Sequence, residues 1–137
     1  AEDILSENKK PTMSDLYFIH THKTGALIEA SVKIGPILAE ASNKEYESLS
    51  KYGERIGLAF QIIDDILDIT GLDEKLGKKT GADIQKGKMT YPSLYGIEYS
   101  RKEAERLIYE AINAISCFNK KAEPLKAIAE YIIKRVE

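Results

Sequence analysis

Asp64, Asp65 and Asp68 stand inside the apolar run GLAFQIIDDILDITG, which extends from Gly57 to Gly71. Carboxylates at i, i+1 and i+4 can hold a hard divalent cation through oxygen. Mg²⁺ takes one or two such ligands, keeps several waters and completes its shell with phosphate oxygens. Cationic stretches lie on both sides. HTHKTGALIEASVKIG brings Lys23 before the acids, and GLDEKLGKKTGADIQKGKM brings Lys75, Lys78, Lys79, Lys86 and Lys88 after them. LGKKTG is not a P-loop, because its spacing is wrong and it follows a helical pattern rather than a strand. His20 and His22 are two residues apart and point in different directions, so no zinc motif forms.

Helices must position these groups, because helical periodicity dominates and no convincing alternating strand is present. At about 100° per residue, Asp68 falls about 40° from Asp64, Gln61 about 60° and Asp65 about 100°, with Gly57 and Gly53 within about 20°. Ile62, Ile63, Ile66, Leu67 and Ile69 fill the opposite arc. The carboxylates and Gln61 therefore share a face whose glycines predict empty volume a turn or two below. The competing reading is the solvated side of an amphipathic helix. Two features oppose it. Like charges at i, i+4 repel with no intrahelical Lys or Arg to offset them. Glycines on an exposed helix face cost up to about 1 kcal/mol each against alanine.

Upstream, Thr12 or Ser14 can cap a helix from about 14 to 34, which Gly35-Pro36 ends or kinks. Lys23, Leu27, Ala30 and Ile34 share one side of it, a cation at the end of an apolar stripe. A short helix, a polar turn near Ser42-Asn43 and a long helix through Asp68 follow. The lysine- and glycine-rich stretch, residues 70–90, reads as a long loop whose Gly77, Gly81 and Gly87 allow it to close as a lid. Three more helices are expected at about 92–98, 101–118 and 124–136, with Pro124 in a first turn. Residues 1–12 read as a polar linker. Carboxylates for Mg²⁺, flanking lysines and apolar space together suit a diphosphate carried on a hydrocarbon tail.

Composition narrows the classes. The chain has 137 residues, 31% charged and 43% hydrophobic, with a formal net charge of -2. That length suits one domain or part of one, and that charge gives no bulk attraction to nucleic acid or an anionic membrane. No apolar run approaches the roughly 20 residues that span a bilayer, and no signal peptide is visible. One cysteine, Cys117, forms no internal disulfide. It reads as a packing residue in a reducing, cytoplasmic compartment.

FQIIDDILD, preceded by HKTG and followed by LGKKTGADIQKGKMTYPSLYG, closely resembles the C-terminal half of the trans-prenyltransferases. Within that family it is most similar to the bacterial farnesyl diphosphate synthases. The resemblance runs to the ending AIAEYIIKRVE. It implies an all-α bundle around a central cavity, a homodimer at full length, and head-to-tail condensation of dimethylallyl or geranyl diphosphate with isopentenyl diphosphate. It also implies three Mg²⁺ ions held between two aspartate-rich motifs. Asp64, Asp65 and Asp68 match the second motif, with Asp64 a direct ligand and Asp65 and Asp68 acting through waters or neighbours. Lys23 matches the lysine that grips the allylic diphosphate, and Lys78 and Lys88 match lid lysines. The backbone carbonyls of Lys23 and Thr24, with the Gln61 side-chain oxygen, would face the developing allylic cation.

The departures are equally informative. The first aspartate-rich motif, its following arginine pair and the upstream isopentenyl-diphosphate residues are absent. AEDI at positions 1–4 looks like the end of a mid-chain family segment. Residues 1–137 are therefore expected to be the C-terminal half of one domain, inactive alone. Alternatives are a geranylgeranyl or other short-chain synthase, or a non-catalytic prenyltransferase subunit. A terpene cyclase fits less well, lacking both this second motif and this lid.

Overall fold

The structure is a computed structural model that describes Thr12, Ser14 and residues 24–76 and 90–136, with backbone alone for 72–76. Its described elements are helices: α1 (Thr24–Leu38), α2 (Asn43–Leu76), α3 (Tyr91–Tyr95), α4 (Ile97–Ala114), a 3₁₀ segment (Ser116–Ala122) and α5 (Glu123–Lys134). Among the described residues there is no strand, as the periodicity requires.

Helix α2 is the axis of the fold. Its 34 residues make a rod about 51 Å long. A reciprocal capping box starts it. The Ser42 backbone N–H donates to Glu45 Oε2 at 2.9 Å, and the Glu45 N–H donates to Ser42 Oγ at 3.3 Å. Tyr52, Ile56, Ala59, Ile62, Ile63 and Ile66 follow at helical spacing and are all buried. They pack against Ala104, Leu107, Ile108 and Ala111 of α4, Ile115 just after it, and Ala129 and Ile132 of α5. Burying each large aliphatic side chain contributes about 1.5–3 kcal/mol. Tyr52 also donates its hydroxyl to the Leu125 carbonyl at 2.6 Å, tying α2 to α5. Burial of that phenol pushes its pKa up to about 12. Arg55 on α2 donates to Glu110 on α4 at 2.7 Å.

Helix α1 lies antiparallel to α2. Gly57 faces Gly25, and Gly53 faces Val32 and Glu29. The turn between the helices corrects the expected boundary. Gly35-Pro36 does not end α1, which runs on with Pro36 inside it. The Ala41 N–H reaches the Pro36 carbonyl at 2.9 Å and the Glu40 N–H reaches Ile37 at 3.2 Å. With Glu40 at φ 51°, these bonds form a Schellman motif that stops the helix. No separate short helix precedes α2, and the polar turn falls at 39–42.

Other boundaries shift for local reasons. Helix α2 continues eight residues past Asp68 to Leu76, because Leu72, Glu74, Lys75 and Leu76 are strong helix formers and lone Gly71 costs only about 1 kcal/mol. A loop starting at 70 is therefore wrong at its first residues, and the rest of that stretch, 77–89, lies outside the described residues. The helix expected over 92–98 breaks at Gly96, whose φ 84° and ψ 162° suit glycine alone. Helix α4 ends at Ala114, and the 3₁₀ segment beyond holds Asn119 at φ 53°. Pro124 sits in the first turn of α5, as expected. Cys117 is exposed on the 3₁₀ segment rather than packed.

Candidate active site

The acids lie on α2 at the edge of the core. Ile62, Ile63 and Ile66 take the buried arc, while Asp64 and Asp65 are half-buried and Asp68 is exposed. Gln61 is 6% exposed. Thr24 is exposed and begins α1, next to Gly25. Since Gly25 meets Gly57, Thr24 stands about one helical turn along the axis from Gln61 and about two from Asp64. Lys23, Lys78 and Lys88, with residues 77–89 of the stretch read as a lid, lie outside the described residues.

The glycines below the acids correct the sequence reading. They do not line empty volume. A Cβ at Gly57 would come 2.8 Å from the Gly25 carbonyl oxygen, and one at Gly53 would come 3.1 Å from Val32 Cβ. The missing side chains let two helix backbones touch, so their position on the acidic face reflects helix packing. An apolar groove of about 690 Å³ lies instead at the other end of α2, among Val32, Pro36, Leu49, Phe118 and Leu125. On α1, Leu27 is 68% exposed and Ile34 55%, so the expected apolar stripe faces away from α2.

Asp64 has a partner that the sequence did not reveal. Arg135, just past α5, approaches Asp64 Oδ1 with Nη1 at 3.0 Å. Its guanidinium lies over the Phe60 ring, 5.1 Å from the centroid. Side-chain exposures are 30% for Arg135 and 40% for Asp64. Arg135 is 71 positions from Asp64, and no local spacing links them. The usable signal was a basic residue at the end of a helix, where it also complements the helix dipole.

Burial pushes the Asp64 carboxyl above its ordinary pKa, Arg135 pulls it back, and Asp68 and Asp65 push it up again. The net direction is upward. Desolvation, the largest cause, thus outweighs the single guanidinium.

The donor set fits Mg²⁺. Asp64 presents a carboxylate already paired with a cation, and Asp68 presents another one turn on. Among the described residues no group of three or more His, Cys, Asp or Glu side chains closes around a point. Also among the described residues, no helix is long and apolar enough to cross a membrane.

Comparison with known proteins gives consistent results. The family described as Polyprenyl synthetase matches residues 1–132. A geranylgeranyl diphosphate synthase of Cyanophora paradoxa is 52% identical over 134 residues, which is 97% of this chain and 45% of that protein. A dimethylallyltranstransferase of Fischerella ambigua (strain UTEX 1903) is 50% identical over 123 residues, 90% of this chain and 36% of that protein. Among solved structures, a geranyltransferase from Helicobacter pylori complexed with magnesium and isoprenyl diphosphate superposes with a TM-score of 0.69. It is 31% identical, and the match covers 96% of this chain and 43% of that one. The chain thus spans less than half the length of these relatives.

Proposed function

Because the chain belongs to the polyprenyl synthetase family, we propose that the protein carrying it joins an allylic diphosphate to isopentenyl diphosphate head to tail and releases diphosphate. Residues 1–137 form the C-terminal half of that enzyme's single domain, with a lysine-rich lid that begins after α2. The enzyme works as a homodimer, and this half alone is inactive. The observation that carries the reading is the placement of Asp64, Asp65 and Asp68 on one stretch of α2, with Gln61 and Thr24 within two turns of Asp64.

Each residue has a distinct task. Asp64 would offer the direct metal oxygen, and Asp65 and Asp68 would act through waters or by orienting neighbours. Mg²⁺ held there would supply positive charge against the departing diphosphate. Lys23, Lys78 and Lys88 donate to that same anion, and their contribution rises as its charge rises. The Gln61 side-chain oxygen and the carbonyls of Lys23 and Thr24 face the allylic cation. Neutral dipoles suit that place, because water or a thiol would add to the cation.

Two product lengths are favoured by different observations. The motif set resembles the farnesyl diphosphate synthases, while the 52% identical relative is a geranylgeranyl diphosphate synthase. The test is to supply full-length protein with geranyl diphosphate, isopentenyl diphosphate and Mg²⁺ and to resolve the products by chromatography. A fifteen- or twenty-carbon polyprenyl diphosphate is expected, and its length decides between the two. Absence of any condensation product overturns the proposal.

A further inference from the structure

We propose that Arg135 is the resident counter-ion of Asp64, and that a divalent cation arriving at Asp64 displaces it and loosens the end of α5. The inference rests on the metal role given to Asp64 above. Three observations support it. Arg135 Nη1 forms an ion pair with Asp64 Oδ1 at 3.0 Å, so it stands at an oxygen a metal ion would use. The guanidinium is held in place by the Phe60 ring at 5.1 Å, one turn before Asp64 on the same helix. Arg135 follows α5 directly, so a movement of its side chain is felt at the C-cap of that helix.

The physical consequence is competition. A divalent cation and a guanidinium on one carboxylate repel each other, and the pair is partly exposed, so its strength is that of a surface ion pair. Removing Arg135 therefore tightens metal binding about two- to fivefold rather than by orders of magnitude. Linkage makes the coupling reciprocal: whatever weakens metal binding is itself weakened by metal. Arg135 is thus a positioning residue, which holds the Asp64 carboxylate oriented until the metal takes over.

The test uses full-length protein without substrate. Mn²⁺ is titrated by electron paramagnetic resonance into the wild type, Arg135→Ala, Arg135→Lys and Asp64→Asn. Amide hydrogen exchange of residues 133–136 is followed with and without the ion. The expected results are a two- to fivefold tighter site in Arg135→Ala, wild-type affinity in Arg135→Lys, and faster exchange at the end of α5 when Mn²⁺ binds the wild type. Asp64→Asn is expected to lose the site and the exchange response together. Unchanged or weaker Mn²⁺ binding in Arg135→Ala, with the site still lost in Asp64→Asn, overturns the counter-ion role and leaves the metal role of Asp64 standing. A site retained in Asp64→Asn overturns both. Unchanged wild-type exchange on Mn²⁺ binding also overturns the displacement, whatever the variants do.

Discussion

Gly57→Ala probes how α1 is set against α2. The new methyl would lie 2.8 Å from the Gly25 carbonyl oxygen and 3.1 Å from Gly25 Cα. Both are backbone atoms, so no rotamer change relieves the contact, and the helices must separate. Overpacking of this kind costs about 1–3 kcal/mol. The gain in helix propensity returns up to about 1 kcal/mol, so a net loss of up to about 2 kcal/mol is expected. Gly71→Ala is the matched control, because nothing lies within 4 Å of a Cβ there. It gains the propensity without the strain and is expected to stabilise by about 0.5–1 kcal/mol. Urea unfolding of the two full-length variants reads the opposite signs directly. Since Thr24 adjoins Gly25, Gly57→Ala is also expected to lower turnover, whereas Gly71→Ala leaves it intact. If Gly57→Ala stabilises as much as Gly71→Ala, the close helix contact is wrong, and the sequence reading of empty volume beneath the acids returns.

Further outcomes follow from the helix ends. Gly96→Ala is expected to cost about 1–3 kcal/mol, because φ 84° and ψ 162° strain any side chain, and urea titration measures it. Ser42→Ala removes the α2 cap and is expected to cost about 1 kcal/mol. Hydrogen bonds from the Ser42 backbone and hydroxyl hold the Glu45 carboxyl below its ordinary value of 4.5. A depressed carboxylate pKa gives stability that is present above the ordinary value and lost as the pH falls through the folded one. The melting-temperature gap between wild type and Glu45→Gln is therefore expected at neutral pH and should vanish in strong acid. A gap independent of pH would contradict the capping box.

The helical class and the partition of α2 were legible in the sequence because both follow from a 3.6-residue period. Ile62, Ile63 and Ile66 had to be inward once Asp64 and Asp68 were outward. Helix ends were less legible. Pro36 is an evident stop signal, yet Glu40 in a left-handed conformation sets the end of α1 through bonds back to residues 36 and 37. Gly96 looked no different from Gly71 in sequence, but one is bent at a positive φ and the other is helical. Within the site, the acids and Gln61 followed from spacing. The glycines beside them were misread, because spacing shows that a side chain is missing and not what fills its place. Arg135 was missed because its relation to Asp64 is purely tertiary, created by the packing of α5 on α2.

In the proposed function, Asp64 has a metal ligand's role in a prenyl-transfer site. Turnover of full-length Asp64→Asn, measured at saturating geranyl diphosphate, isopentenyl diphosphate and Mg²⁺, tests it most directly. The substitution keeps the size of the side chain and removes its charge. A fall in kcat of about 10²–10³ is expected with the protein still folded, and a kcat within a few-fold of the wild type would rule that role out.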